Sequence, residues 1–263
     1  MIRLSIVTIT YNAAATLQRT LDSVRSQDYQ HIEHLIVDGA SKGGTLALAE
    51  RYKQQSDASA SGHEVVILSE PDNGIYDAMN KGLRRATGDY IVFMNAGDAF
   101  HAADTLQTVA NAIPSDSSVL PAVIYGDTAI TDGDGHFLHL RRLRPPQVLT
   151  WRSFRQGMLV CHQAFYARLD IARPIEYDLQ YRHSADVDWC IRVMKEAERQ
   201  QLPLVNTHTV LADFEDGGNT TQNHRASLLE RYRVMVAHYG LLQATAMHAW
   251  FVVRAVLVRL RRK

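Results

Sequence analysis

The first hundred residues predict an α/β fold, with a mainly parallel central sheet and helices on both faces. Two observations carry this. Short apolar runs recur at strand length, and between them apolar residues fall at helical spacing. The first run, Leu4 to Ile9, is rich in β-branched residues, and Asn12 is placed to cap a helix whose Leu17, Leu21 and Val24 share one face. The second run, Ile32 to Val37, ends at Asp38-Gly39, and a helix over residues 45 to 53 follows. The polar stretch 54 to 62 reads as an exposed loop. The third run, Val65 to Leu68, ends at Ser69-Glu70, after which Ile75, Ala78, Met79, Gly82, Leu83 and Ala86 keep helical spacing. The fourth, Tyr90 to Met94, stops at Asn95-Ala96-Gly97-Asp98.

Past about residue 117 the pattern changes. VIYGDTAITDGDGHFLHL predicts a β-hairpin turning at Asp132 to Gly135. Arg-Pro-Pro at 144 to 146 marks a break. Residues 184 to 199 return to helical spacing with Ala185, Trp189 and Val193 on one side. A strand around 203 to 211 leads into the glycine loop EDGGNTT, and a last body helix carries Leu228, Tyr232, Met235, Val236 and Tyr239. No repeat or composition shift divides the chain, so residues 1–240 are expected as one domain, in a 1–100 half and a 101–240 half. Residues 241–263 form a separate basic tail.

The chain has 263 residues and 46% apolar composition, enough for a continuous core. Its net charge is zero but uneven: from residue 241 onward there are five basic residues and no acids, leaving 23 basic against 28 acidic before it. A mildly acidic body argues against general nucleic-acid binding, which needs a basic stripe on the body itself. Cys161 and Cys190 lie far apart, outside any CxxC pattern, so a zinc site or disulfide framework is not expected and a reducing cytosol is the default. Met1 leads directly into the first strand with no secretory-signal pattern.

In a parallel sheet the ligand crevice lies outside the carboxyl ends of the strands. One acid at a strand end is an ordinary loop residue; Asp38, Glu70 and Asp98, each ending a run at the same edge, indicate a site. Thr10-Tyr11-Asn12 follows the first run and no glycine precedes Gly39, so neither GxGxxG nor GxxxxGK[ST] is present to cradle a phosphate. A phosphorylated ligand would be held here by acids, a divalent cation and a few donors. Mg²⁺ or Mn²⁺ typically binds through one or two carboxylates plus phosphate oxygens and water. The lone Asp98 therefore suffices for a ligand that brings a diphosphate. For NAGD alone, a type I turn stabilised by local hydrogen bonds is an equal reading.

SIVTITYNAAATL, LIVDGASKGGT and SEPDNGIYDAMNKGLRRATGDYIVFMNAGD, in that order, resemble the nucleotide-binding half of family 2 glycosyltransferases with the GT-A fold. SEPDNGIYDAMNKG with NAGD is most similar to the bacterial branch that includes colanic-acid and related exopolysaccharide glycosyltransferases. The likeness is strong over residues 3 to 100 and continues through CHQAFY (161 to 166), SADVDW (184 to 189) and FEDGGNTT (214 to 221). It implies that residues 1–100 bind a nucleotide sugar and 101–240 supply the acceptor side and the catalytic acid.

Residue by residue, the resemblance implies that Tyr11 packs on the base and Asp38 hydrogen-bonds it, with Thr10 and Asn12 beside them. Core packing is the other reading of Tyr11. Asp98 matches the last acid of the DxD-type motif and would hold the metal, while Asn95 and Gly97 stand where many members have aspartates. Asp72, Asn73, Asp77, Asn80 and Lys81 are expected to include contacts to donor sugar or phosphates, or else to serve as caps and surface charges. Asp186 aligns with the catalytic carboxylate and Ala185 with the usual glutamate. Asp188 competes, but two residues along a helix point it roughly 200° away. His162 is expected near the acceptor, with a core histidine as the alternative. His208 and His224 are weaker candidates to assist the metal, and Gly217 and Gly218 to let a loop close.

The implied enzyme is a metal-dependent, inverting glycosyltransferase using Mn²⁺ or Mg²⁺. Its partners would be a nucleoside-diphosphate sugar, UDP-sugar ahead of GDP-sugar, and a lipid-linked saccharide acceptor in surface polysaccharide synthesis. AWFVVRAVLVRLRRK is interrupted by charge too early to span a bilayer and reads as an interfacial helix on anionic lipid, or as a last packed helix with a basic end. The first places the protein in the cytoplasm, peripheral on the inner face of the plasma membrane. The competing functions are a non-catalytic sugar-nucleotide-binding scaffold and a sugar-1-phosphate nucleotidyltransferase; the latter needs a glycine-rich loop after the first strand, which is missing.

Overall fold

In the computed structural model, backbone is described for residues 1–59, 61–114, 119–215 and 224–260, and side chains over the same ranges except 224–225 and 252–260. The first four strands are β1 (Leu4–Thr10), β2 (Ile32–Asp38), β3 (Glu64–Ser69) and β4 (Tyr90–Asn95), alternating with α1 (Ala14–Arg25), α2 (Thr45–Asp57) and α3 (Ile75–Arg85). β1 pairs in parallel with both β2 and β4, and β2 with β3. All seven residues of β1 and of β2 are buried, which is why they read as continuous apolar runs, while β3 at the sheet edge is half exposed. α2 continues to Asp57, so the predicted loop begins later than residue 54.

The second half is β5 (Ala99–Phe100), α4 (Thr105–Asn111), β6 (Val123–Thr131), β7 (Phe137–Leu140), β8 (Phe165–Arg168), α5 (Leu169–Ala172), α6 (Ala185–Arg199), β9 (Leu204–Glu215), α7 (His224–Tyr239) and α8 (Leu241–Leu260). Short 3-10 helices cover Trp151–Gln156 and His162–Ala164. One nine-stranded sheet runs β3-β2-β1-β4-β8-β6-β9-β5, with β7 on β6 at the predicted hairpin. The sheet is parallel through its first half and mixed beyond β4: β8 is antiparallel to β4 and β6, and β9 is parallel to β6.

The β4–β8 pairing decides what reaches the site. It involves only Tyr90↔Arg168 and Ile91↔Ala167, at the start of β4. Because β8 runs the opposite way, the residues just before it, His162–Ala164, lie across the carboxyl end of β4. That crossing brings CHQ onto NAGD.

Candidate active site

Thr10, Asp38, Ser69 and Asn95 close the four parallel strands in register: Thr10 pairs with Asp38, Asp38 with Ser69, and Ile9 with Asn95. Asp38 is wholly buried, and its Oδ2 accepts from the Ser69 hydroxyl at 2.6 Å and the Ser41 N–H at 3.0 Å. Its Oδ1 is buried with no donor, as is Thr10 Oγ1. Orphaned acceptors at a strand edge are costly unless a ligand supplies the donors. Tyr11 stands over this edge with 64% of its surface exposed, so core packing does not account for it. Gly39 lets two side chains come close: a Cβ there would displace Asp72 Oδ2 and press on the Tyr11 ring.

Asn12 does not cap α1. It adopts a left-handed φ of 49°, its N–H donates to Ser41 Oγ and its Oδ1 accepts the Lys42 N–H, both at 2.8 Å. The N-cap of α1 is Ala13, with no side-chain cap bond. Asn12 thus ties the loop after β1 to the loop after β2, and an amide that tolerates left-handed backbone suits the position.

The segment before α3 is largely engaged with itself. Asp72 Oδ1 accepts the Gly74 N–H at 2.8 Å, and Asp77 Oδ2 accepts the Asn73 N–H at 2.9 Å. Lys81 Nζ donates to the Pro71 carbonyl at 2.6 Å and pairs with Glu70 at 3.0 Å. Asn80 is buried away from the cleft, its amide donating to the Tyr177 carbonyl and accepting the Tyr177 N–H at 2.9 and 2.7 Å. The structure therefore gives Asn80 a place in the core, with both ends of its amide engaged by the Tyr177 backbone.

The NAGD turn is built from three directions. Gly97 has φ +110°, a conformation L side chains rarely adopt. The buried Thr20 hydroxyl on α1 accepts the Gly97 N–H at 2.9 Å and donates to the Asp98 carbonyl at 2.6 Å. Asp98 Oδ2 accepts the Asn95 N–H and the Gln163 amide, both at 2.9 Å. Both of these bonds go to Oδ2, and Asn95 Oδ1 is buried with no donor among the described residues. Burial pushes the Asp98 carboxyl above its ordinary value, against the opposing pull of Gln163, His162, the Asn95 N–H and Arg19. A buried carboxylate with one free oxygen and too little positive charge fits a divalent cation.

Across the cleft, Asp186 lies in the first turn of α6, with 17% of its side chain exposed. Its Oδ1 accepts from the Tyr76 hydroxyl at 3.2 Å, and its Oδ2 lies 3.4 Å from His162 Nδ1. Burial alone would raise this carboxyl. The His162 hydrogen bond and charge, the Arg231 guanidinium and the Val187 N–H outweigh it and hold it below its ordinary value. His162 Nε2 in turn lies 3.3 Å from Asn95 Nδ2, so one imidazole joins the NAGD turn to Asp186.

Asp188 is spent elsewhere. His238 Nε2 and Arg192 Nε each meet one of its oxygens at 2.7 Å, in the seam between α6 and α7. Ser184, at the N-cap position, makes no cap bond and donates to the Ser227 carbonyl at 3.3 Å. His208 is exposed on β9, five residues before Asp213, which pairs with Ala99. The side chain of His224, and Gly217 and Gly218 altogether, lie outside the described residues. The only described cluster with metal-ligand spacing is Asp132, Asp134 and His136 in the mainly exposed hairpin turn.

A model of glycosyl transferase family 2 matches residues 5–172. This chain belongs to that family. A PGL/p-HBAD biosynthesis glycosyltransferase of Mycobacterium bovis is 33% identical over 222 residues, covering 81% of this chain and 77% of that protein. The amylovoran biosynthesis glycosyltransferase AmsB of Erwinia amylovora is 30% identical over 224 residues, covering 80% and 70%. Among solved structures, S. aureus TarS 1-349 in complex with UDP-GlcNAc superposes with TM-score 0.68 at 17% identity, over 89% of this chain. The chain spans about 64% of that TarS fragment. The mannosyltransferase PcManGT of Pyrobaculum calidifontis, in complex with GDP-Man and Mn²⁺, gives TM-score 0.60 at 17% identity over 99% of this chain. At such identities the structures show the shared GT-A fold. The family 2 chain is thus a glycosyltransferase in which His162 joins the turn bearing Asp98 to Asp186.

Proposed function

We propose that this glycosyltransferase moves a sugar from a nucleoside-diphosphate donor to a saccharide hydroxyl with inversion at the anomeric carbon. The observation that carries the reading is the pair of acids brought together by the CHQ turn, Gln163 on Asp98 and His162 on Asp186, with Asp98 raised and Asp186 lowered. Asp38 Oδ1 and Thr10 Oγ1 await donors from a base, and Tyr11 offers it an aromatic face. TarS with UDP-GlcNAc and PcManGT with GDP-Man support a nucleotide-sugar donor of either base.

Asp98 would hold the Mn²⁺ or Mg²⁺, which when bound supplies charge neutralisation for the leaving diphosphate. Asp186 takes the proton from the acceptor hydroxyl as its oxygen attacks the anomeric carbon opposite the breaking bond to phosphate. A single displacement needs no enzyme nucleophile, and the pairing of Asp188 with Arg192 and His238 leaves it no part in the step. A thermal-shift screen of UDP-sugars and GDP-sugars, with and without Mn²⁺, tests the reading. A shift that needs both metal and one nucleotide class is expected; no shift with any nucleotide would refute it, and a shift without metal-dependent release of nucleoside diphosphate would favour the scaffold.

The acceptor in this reading is a lipid-linked saccharide of surface polysaccharide assembly, in keeping with the amylovoran relative. No described helix is long and apolar enough to cross a membrane. α8 exposes Leu241, Leu242 and Trp250, and residues 254 to 263 carry five cations in sequence, a combination suited to an anionic bilayer surface on the cytoplasmic side. Deletion of residues 248–263 should abolish co-sedimentation with anionic liposomes; retained binding would remove this part of the proposal.

A further inference from the structure

The Asp186 carboxylate is held from two sides by groups on different elements. The Tyr76 hydroxyl approaches Oδ1 from α3, and His162 approaches Oδ2 from the 3-10 helix ahead of β8. Tyr76 is buried and its ring cannot swing away. It stacks on Tyr177 (centroids 5.6 Å, planes 18° apart), which stacks on Trp189 (4.9 Å, 11°), and Phe93 meets both Tyr177 and Trp189 edge-on. Asn80 fixes Tyr177 through both its backbone N–H and its carbonyl. The stack therefore aims a hydroxyl at one carboxylate oxygen, from the first turn of the helix that follows Asp72 and Asn73. Tyr76 and His162 thus meet different oxygens of the carboxylate, one from each side.

We infer that Tyr76 is a positioning residue: with His162 it clamps Asp186 in the ionised form and orientation needed to accept the acceptor's proton, and it ties that orientation to the donor-side end of α3. This rests on Asp186 being the base. The other titratable groups facing Asp186 are Arg231 from α7, the Tyr177 hydroxyl, and the Cys161 and Cys190 thiols. Burial pushes the last three upward, so they stay neutral and offer no charge to substitute for His162.

Full-length protein carrying aspartate labelled with ¹³C at the carboxyl provides the test, the Asp186 resonance being the one lost in Asp186→Asn. Its titration midpoint should rise by about one unit or more in His162→Gln and by roughly half a unit in Tyr76→Phe, since each change removes a donor to the charged form. Unmoved midpoints in folded variants overturn the inference. Release of nucleoside diphosphate from UDP-N-acetylglucosamine or GDP-mannose with Mn²⁺, water serving as acceptor, gives the second measurement. Tyr76→Phe should lower kcat by about tenfold with the donor KM within about twofold. A raised KM with unchanged kcat would instead make Tyr76 a donor contact and overturn the clamp. Undiminished donor cleavage by Asp186→Asn would sink the base assignment alone, because the midpoints would still report the clamp.

Discussion

Asp98 and Asp186 are both largely withdrawn from water and are met by neighbouring residues of one turn, Gln163 and His162, yet their surroundings push them in opposite directions. Asp98 takes its hydrogen bonds from neutral donors, a backbone N–H and a glutamine amide, and burial outweighs these together with the pull of His162 and Arg19: its carboxyl is raised. Asp186 is buried too, but His162 and Arg231 bring positive charge and its carboxyl is lowered. A carboxylate that lacks compensating charge is a cation site in waiting. One already compensated by the protein can act as a base without metal beside it. Two identical side chains are therefore set apart by the balance each strikes between burial and its partners, which burial wins at Asp98 and loses at Asp186.

Substitution of the two acids should break the comparison most visibly. Asp186→Asn is expected to reduce transfer by about 10²–10⁴-fold, the usual contribution of a general base, while nucleotide still shifts the melting temperature. Near-normal transfer would remove Asp186 from the chemistry. Asp98→Asn should act on binding instead: the Mn²⁺-dependent part of the nucleotide-induced shift disappears. If Mn²⁺ still enhanced donor binding, the cation would have to sit elsewhere.

A smaller effect distinguishes them without any ligand. Raised in the fold, the Asp98 carboxyl costs stability when ionised, so that cost is present above its folded pKa and relieved as pH falls toward the ordinary carboxyl value. Asp186, lowered in the fold, contributes stability above the ordinary value, lost only as pH falls through its folded pKa. At neutral pH, Asp98→Asn should leave metal-free stability unchanged or higher. Asp186→Asn should lower it by about 1–3 kcal/mol, the usual cost of stripping a charged partner from a buried hydrogen bond. Denaturant unfolding of both variants checks the sign; equal losses would mean that the two settings are not different. For the same reason Mn²⁺ affinity should weaken as pH drops from 7 toward 5, as protons compete for Asp98.

The first hundred residues were legible because their signals are local. β1 and β2 are buried on both faces and so are unbroken apolar runs, and a parallel sheet puts Thr10, Asp38 and Asn95 on one edge once the runs are recognised. The hairpin of β6 and β7 and the helix from Ala185 were legible for the same reason. The cap of α1 was misread, since Asn12 bonds to a loop 30 residues away that helical periodicity cannot reveal. Gln163 on Asp98 and Tyr76 on Asp186 span 65 and 110 residues and leave no periodic trace. Only their places in CHQ and GIYD, beside residues already marked as candidates, could have pointed to them.

The sequence by itself determined the order of strands and helices in the first hundred residues, the lone acid of NAGD and two candidate acids at the start of α6. It could do so because burial and backbone pairing impose short-period patterns on neighbouring residues. Tertiary structure decided which of those acids faces the cleft. Asp188 turns into the α6–α7 seam toward Arg192 and His238, and Asp186 turns toward His162. It also decided that Asp98 would be short of charge and Asp186 would not. A carboxylate's behaviour depends on charges and solvent within a few ångströms, and here those come from α3, the CHQ turn and α7, which the chain brings together only by folding.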